Sequence, residues 1–188
     1  MGEPPSRSMV DGITFALWRT KGSREATVKA TQLLKTDHAA VKTLFSRFRR
    51  TGERAEKTRQ ALIDRIATEL EIHAQIEEEI FYPAMREVRK AAPLLKEAHK
   101  EHERVKTLVA KMQSAEDGEI AGTVQELREA VLHHATEEER EMFPLAKELG
   151  AQKLDELGAE LRDRKQNLKK GLLARAKRGA KKAIRKAA

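Results

Sequence analysis

The chain has 188 residues and a net charge of +8, with 36% of its residues charged and only 4% aromatic. It contains no cysteine, which excludes disulfides, thiolate zinc sites and iron–sulfur clusters. The remainder is rich in Ala, Leu, Glu, Lys and Arg, all strong helix formers, and implies an all-α fold.

In chain order, residues 1–24 hold Pro4, Pro5, several Ser and Gly, and a small apolar group around Phe15 and Trp18, and read as a flexible leader. The apolar stretch 13–18 is too short for a secretory core, and no run approaches the ~20 apolar residues needed to cross a bilayer. A soluble, cytoplasmic protein is expected. Leu33, Leu34, Val41, Leu44, Phe45 and Phe48 share one face of a first helix that ends near Gly52. A second carries Leu62, Ile66, Leu70, His73 and Glu77 and meets Pro83, where it must kink or stop. A third, from about Pro93, carries Leu95, His102, Val105, Leu108 and Met112, and Asp117-Gly118 is a turn signal. The fourth carries Val124, Leu127, Val131, His134 and Glu138 and meets Pro144. Leu154, Leu157, Leu161, Leu168 and Leu172 predict a fifth helix to about residue 173. This gives a leader (1–24), a four-helix bundle (25–150) and a basic C-terminal helix and tail (151–188).

The four central helices contain a repeat. His38-x-x-Val41-Lys42-Thr43-Leu44 matches His102-x-x-Val105-Lys106-Thr107-Leu108 at an offset of 64. His73-Ala74-x-x-Glu77-Glu78 matches His134-Ala135-x-x-Glu138-Glu139 at an offset of 61, each followed by a proline ten residues after the histidine. Two helical hairpins related by a pseudo-twofold axis make an up-down four-helix bundle. The fourteen residues from His38 to Gly52 make about 21 Å of helix, and the other arms are comparable, so all four histidines can lie at one level facing inward.

A helix returns to the same face after four residues, so His73/Glu77 and His134/Glu138 each present an imidazole beside a carboxylate. One inward histidine is usually a hydrogen-bonded core residue, and triplets such as Glu77-Glu78-Glu79 and Glu137-Glu138-Glu139 are usually solvated faces. Here, however, one glutamate of each triplet continues the apolar stripe four residues after a histidine, and the pattern occurs twice. His38, His73, Glu77, His102, His134 and Glu138 are therefore the candidate metal ligands. Imidazole and carboxylate suit iron, manganese or zinc. HExxH is missing, and no histidine follows a glutamate at the Glu-x-x-His spacing of ferritin-type di-iron bundles. Two carboxylates able to bridge, with histidines on either side, point to a dinuclear iron centre.

With His38, His73-x-x-x-Glu77, His102 and His134-x-x-x-Glu138 in this order, and Tyr82-Pro83 and Phe143-Pro144 closing their helices, residues 30–148 resemble the hemerythrin-like, or HHE cation-binding, family. The resemblance implies two iron ions in a non-heme site bridged by oxygen and by Glu77 and Glu138, with the four histidines as terminal ligands. It also implies a partner such as O₂, peroxide or nitric oxide. The oxygen-carrying members have two ligand histidines four apart on the third helix, but the position four before His102 is Ala98. Their fourth-helix acid is an aspartate five after the histidine, whereas here it is Glu138 at four. His99, Tyr82 or water could fill the vacant place, and a water would leave an open position that favours sensing or catalase-like and detoxifying chemistry over carriage. His133 points about 100° away from His134 and is expected to face solvent. Leu34, Val41, Ile76, Ile80 and Leu108 are candidates to line a dry pocket.

From residue 162 onward there are twelve Lys or Arg against Asp163 alone, a net +11, which leaves −3 for residues 1–161. Such a segment can bind phosphate backbones without sequence preference, so the alternative function is a nucleic-acid-associated protein working through residues 162–188. A solubilising tail and an anionic membrane surface are the other readings of the same charge.

Overall fold

The structure, a computed structural model, describes residues 28–187. The leader and most side chains beyond Ala174 lie outside the described residues. Five helices follow one another: α1 (Ala30–Arg50), α2 (Glu56–Ile76), α3 (Ala92–Ser114), α4 (Asp117–Glu137) and α5 (Ala151–Ala187). The first four form the expected ring, with α1 against α2 and α4, and α3 against α2 and α4, while α5 lies over α1 and α2. No helix among the described residues is long and apolar enough to cross a membrane.

Two sequence expectations are refined. The prolines do not end their helices at once but follow a change of helical pitch. After Ile76 the chain widens into a π-turn (Glu77–Phe81), and after Glu137 into another (Glu138–Met142), each followed by a last α-turn, Tyr82–Met85 and Phe143–Ala146. In an α-helix the ring of Pro83 would strike the carbonyl four residues earlier, and its nitrogen could not donate to it. The wider turn relieves both problems, with Tyr82 N–H donating to the Glu77 carbonyl and Phe143 N–H to that of Glu138. The second refinement concerns Asp117-Gly118, which opens α4 rather than forming the turn.

The interior is two apolar clusters with a polar layer between them. One holds Val41, Phe45, Ile66, Leu70, Val105, Leu127 and Val131. The other holds Leu34, Ile72, Ile76, Phe81, Met85, Leu154, Leu157 and Leu161. On each of α1 to α4 one histidine falls at the boundary, as His38 does between Leu34 and Val41. Leu154, Leu157 and Leu161 are buried, so the front of α5 is core, while Leu168 and Leu172 pack at its margin.

Gly158 lets α5 sit this close. A Cβ there would lie 2.0 Å from the Val28 carbonyl oxygen and 2.9 Å from Ala30 N, both backbone atoms that cannot rotate aside. Gly158→Ala should therefore lower stability by about 1–3 kcal/mol, although the same change in an open helix would raise it by about 1 kcal/mol. Thermal unfolding by circular dichroism reads the sign; a raised midpoint would mean that α5 does not seat here.

Candidate metal centre

The polar layer gathers the predicted residues. Ligand atoms of His38, His73, Glu77, His134 and Glu138 all lie within 4.8 Å of one another. His102 joins them, with Nε2 3.3 Å from both Glu77 Oε2 and His134 Nε2. All six are buried. The histidines pair across the hairpins: His38 Nε2 faces His73 Nε2 at 3.1 Å, and His102 Nε2 faces His134 Nε2 at 3.3 Å. The carboxylates lie between the pairs. Glu77 Oε2 is 3.2 Å from His73 Nε2 as well as 3.3 Å from His102 Nε2, and Glu138 Oε2 is 3.4 Å from His38 Nε2 and 3.6 Å from that of His134.

Behind the imidazoles runs a ring of four acids that sequence reading left unassigned. His38 Nδ1 donates to Glu139 Oε1 (3.0 Å), His102 Nδ1 to Glu78 Oε1 (2.8 Å) and His134 Nδ1 to Glu101 Oε2 (2.9 Å). His73 Nδ1 lies 3.7 Å from Asp37 Oδ2. Asp37 and Glu101 directly precede His38 and His102, and Glu78 and Glu139 directly follow Glu77 and Glu138. The repeat therefore carried the signal, and these two glutamates are not simply part of a solvated face. Cations close the ring from outside: Lys42 on Glu139, Lys106 on Glu78, and Lys165 of α5 on Asp37. Lys42 and Lys106 are themselves a repeat pair. Nearby, Arg164 grips Glu79 at 2.6 Å and Lys169 grips Glu69 at 3.0 Å. Arg164, Lys165 and Lys169 of the basic segment are thus turned onto the bundle.

This arrangement fits a bound cation. An acid behind each imidazole keeps the proton on Nδ1 and leaves an Nε2 lone pair pointing inward, a tautomer inferred from the acceptor present. Two such lone pairs about 3 Å apart repel unless a proton or a metal ion sits between them. Both oxygens of Glu77 and Oε2 of Glu138 are buried and accept no hydrogen bond, an expensive state without a cation. The electrostatics agree. Burial opposes charge on Glu77, but His73, His102 and His134 outweigh it and hold the carboxyl well below its usual range. Burial likewise opposes protonation of His134, yet Glu138, Glu101 and Glu77 push it well above the ordinary imidazole value, and His38 is raised by Glu138 and Glu77.

The two halves are not identical. Tyr82 and Phe143 are repeat equivalents. The Tyr82 hydroxyl donates to Glu138 Oε1 (3.0 Å) and lies 3.2 Å from His102 Nε2, whereas Phe143 stacks on His38 with ring centroids 6.0 Å apart. Burial, then the charges of Glu77 and Glu138, drive the phenol's pKa well upward, so it keeps its proton. His99 lies outside the cluster, exposed and edge-on to the Tyr82 ring, because it falls one position past the inward-facing Ala98. Of the residues weighed for the vacant place, Tyr82 is the one whose polar atom reaches the layer. His133 is exposed, as its register predicts. A cavity of about 20 Å³ adjoins the four histidines, walled by Val41, Leu70, Val105 and Val131. Of the pocket residues expected from sequence only Val41 lines it, because Leu34, Ile76 and Ile80 belong to the cluster on the other side of the layer and Leu108 lies deeper in its own.

A helical bundle with a buried ring of inward histidines and carboxylates defines a cation-binding domain of the His/carboxylate class. Comparison with known families agrees: residues 29–146 match the hemerythrin HHE cation binding domain. The chain belongs to that family. Among solved structures it is similar to a hemerythrin HHE cation binding domain-containing protein from Mycobacterium kansasii, with 28% identity and a TM-score of 0.70, covering 80% of this chain and 93% of that one. No curated protein matches significantly.

Proposed function

We propose that the chain holds two iron ions and uses them to bind or transform a small ligand of the O₂, peroxide or nitric oxide class. The observation that carries this reading is the pair of facing Nε2 couples with Glu77 and Glu138 touching both. His38 and His73 would hold one ion, His102 and His134 the other, and the two glutamates would span them. Nitrogen and oxygen donors without thiolate suit iron. Bound iron would supply the redox capacity that such ligands require.

The chain's own residues supply the rest. The small apolar cavity admits a diatomic ligand and little water. Phe143 offers no donor atom where its repeat partner Tyr82 offers a hydroxyl, so the His38/His73 position is the one with a place left for the ligand. The protonated Tyr82 hydroxyl stands across the layer as a proton donor. An open position with a proton donor across the layer favours sensing or turnover over simple carriage. The test is metal content per chain by mass spectrometry after anaerobic reconstitution with ferrous iron and removal of solvent-accessible metal on a chelating resin. Two irons per chain are expected; a single zinc or no metal would contradict the reading.

A further inference from the structure

The repeat is broken on one face of the centre. Behind His73 stands Asp37, capped by Lys165 of α5, and the flanking positions Ile72 and Ile76 are buried in the cluster that α5 completes. Behind His134 stands the equivalent Glu101, and the positions matching Ile72 and Ile76 at the repeat offset are His133 and Glu137. These are open to solvent, with side chains 64% and 36% exposed. Where apolar residues lie under a helix on one side, an imidazole and a carboxylate stand in water on the other.

The three open-face groups converge. His133 Nε2 lies 3.2 Å from Glu101 Oε1 and 3.6 Å from Glu137 Oε1, and the three ligand atoms are mutually within 4.8 Å. Glu101 Oε2 is occupied by His134 Nδ1, but Oε1 is buried and accepts no hydrogen bond. The cap that Lys165 gives Asp37 is replaced at Glu101 by an imidazole, beside a second carboxylate. Glu97, also within the field of His133, adds another negative charge, and Lys100 is turned onto it at 2.7 Å.

We infer that Glu101, His133 and Glu137 form an outer site for one divalent first-row transition-metal ion on the face that α5 leaves open. One imidazole nitrogen and two carboxylate oxygens are the donor set that ferrous iron, manganese or zinc accepts, with water completing the shell. The ion neutralises the two carboxylates and gives a ligand bond to Glu101 Oε1, which faces His133 but accepts no hydrogen bond. Glu101 then joins an outer ion to the ring that holds His134, so metal captured from solvent is stationed one carboxylate behind the buried cluster. The outer site needs no ion in the buried one.

The test uses the full chain, dialysed to equilibrium against zinc and analysed by mass spectrometry, as wild type, His133→Ala and Glu137→Gln. Both substitutions are exposed and leave the core untouched; Glu101 is left alone because it orients His134. Each variant should hold one zinc fewer per chain than wild type. Zinc taken by the buried histidines is common to all three proteins and cancels in the difference. In parallel samples reconstituted with ferrous iron and then passed over a chelating resin, which strips a solvent-open site, the iron that remains should be the same in all three, which reads the dinuclear centre separately. Equal zinc in the three proteins, or none in wild type, would overturn the outer site whatever the buried centre does.

Discussion

Glu77→Ala is expected to strip the chain of bound iron while leaving its helical content intact. The side chain is fully buried, and its Oε2 lies within 4 Å of His73, His102 and His134 Nε2 atoms. No other residue touches three of the four imidazoles at these distances among the contacts described. Removing it takes away a donor shared by both ion positions and the negative charge that makes a cation welcome between the histidines. Glu77→Gln keeps the volume and one oxygen but loses the charge, and separates shape from electrostatics. Glu139→Gln gives the scale, because loosening an acid that orients a ligand histidine costs about 10–100-fold in metal affinity. Both Glu77 variants should exceed that loss, measured by competition against a chelator with circular dichroism as the folding control. Two irons retained in Glu77→Ala would remove the carboxylate from the ligand set.

The bundle and the layer were legible in the sequence because periodicity and repeat said the same thing. One histidine on each of α1 to α4 continues an apolar stripe, and the spacing of four from His73 and His134, found twice, selects which glutamate of each acidic triplet turns inward. The ring of acids behind the histidines was present in the same repeat but hidden by composition. Glu78 and Glu139 sit in runs that resemble solvated surface, and only three-dimensional placement shows that they reach imidazoles on helices from the other hairpin. Pro83 and Pro144 marked where the α-helix is interrupted but not the form it takes: sequence says where an α-helix cannot continue but not that a π-turn will absorb the fault. The role of α5 was obscured by its charge. Its leucines predicted a helix, but the pairings of Arg164, Lys165 and Lys169 depend on which carboxylates α2 and α1 present to it, and no spacing within α5 encodes that.

The metal-free and iron-loaded forms should respond to pH in opposite directions. In the metal-free fold His134 is raised well above 6.5 and His38 is raised above it, so the folded chain keeps protons that the unfolded chain releases. That stabilisation is complete below 6.5 and is lost as pH climbs through the raised folded values. Glu77 is held well below 4.5, so its contribution is present above 4.5 and is lost as pH falls toward the lowered value. The metal-free chain should accordingly be most stable between 4.5 and 6.5 and should weaken toward alkaline pH. Iron reverses the alkaline limb, because ligation needs the imidazoles unprotonated and binding releases their protons. At a free-ion concentration a thousandfold above Kd the folded state gains about 4 kcal/mol, and each kcal/mol is worth roughly 2–4 °C for a chain of this size. Anaerobic thermal scans with and without ferrous iron should therefore diverge as pH rises, with the gap small near the acid end and largest above neutrality. A metal-free midpoint that rises through that alkaline range would mean that the histidines are already neutral in the empty fold, and that a proton does not stand in for the ion between the facing Nε2 atoms.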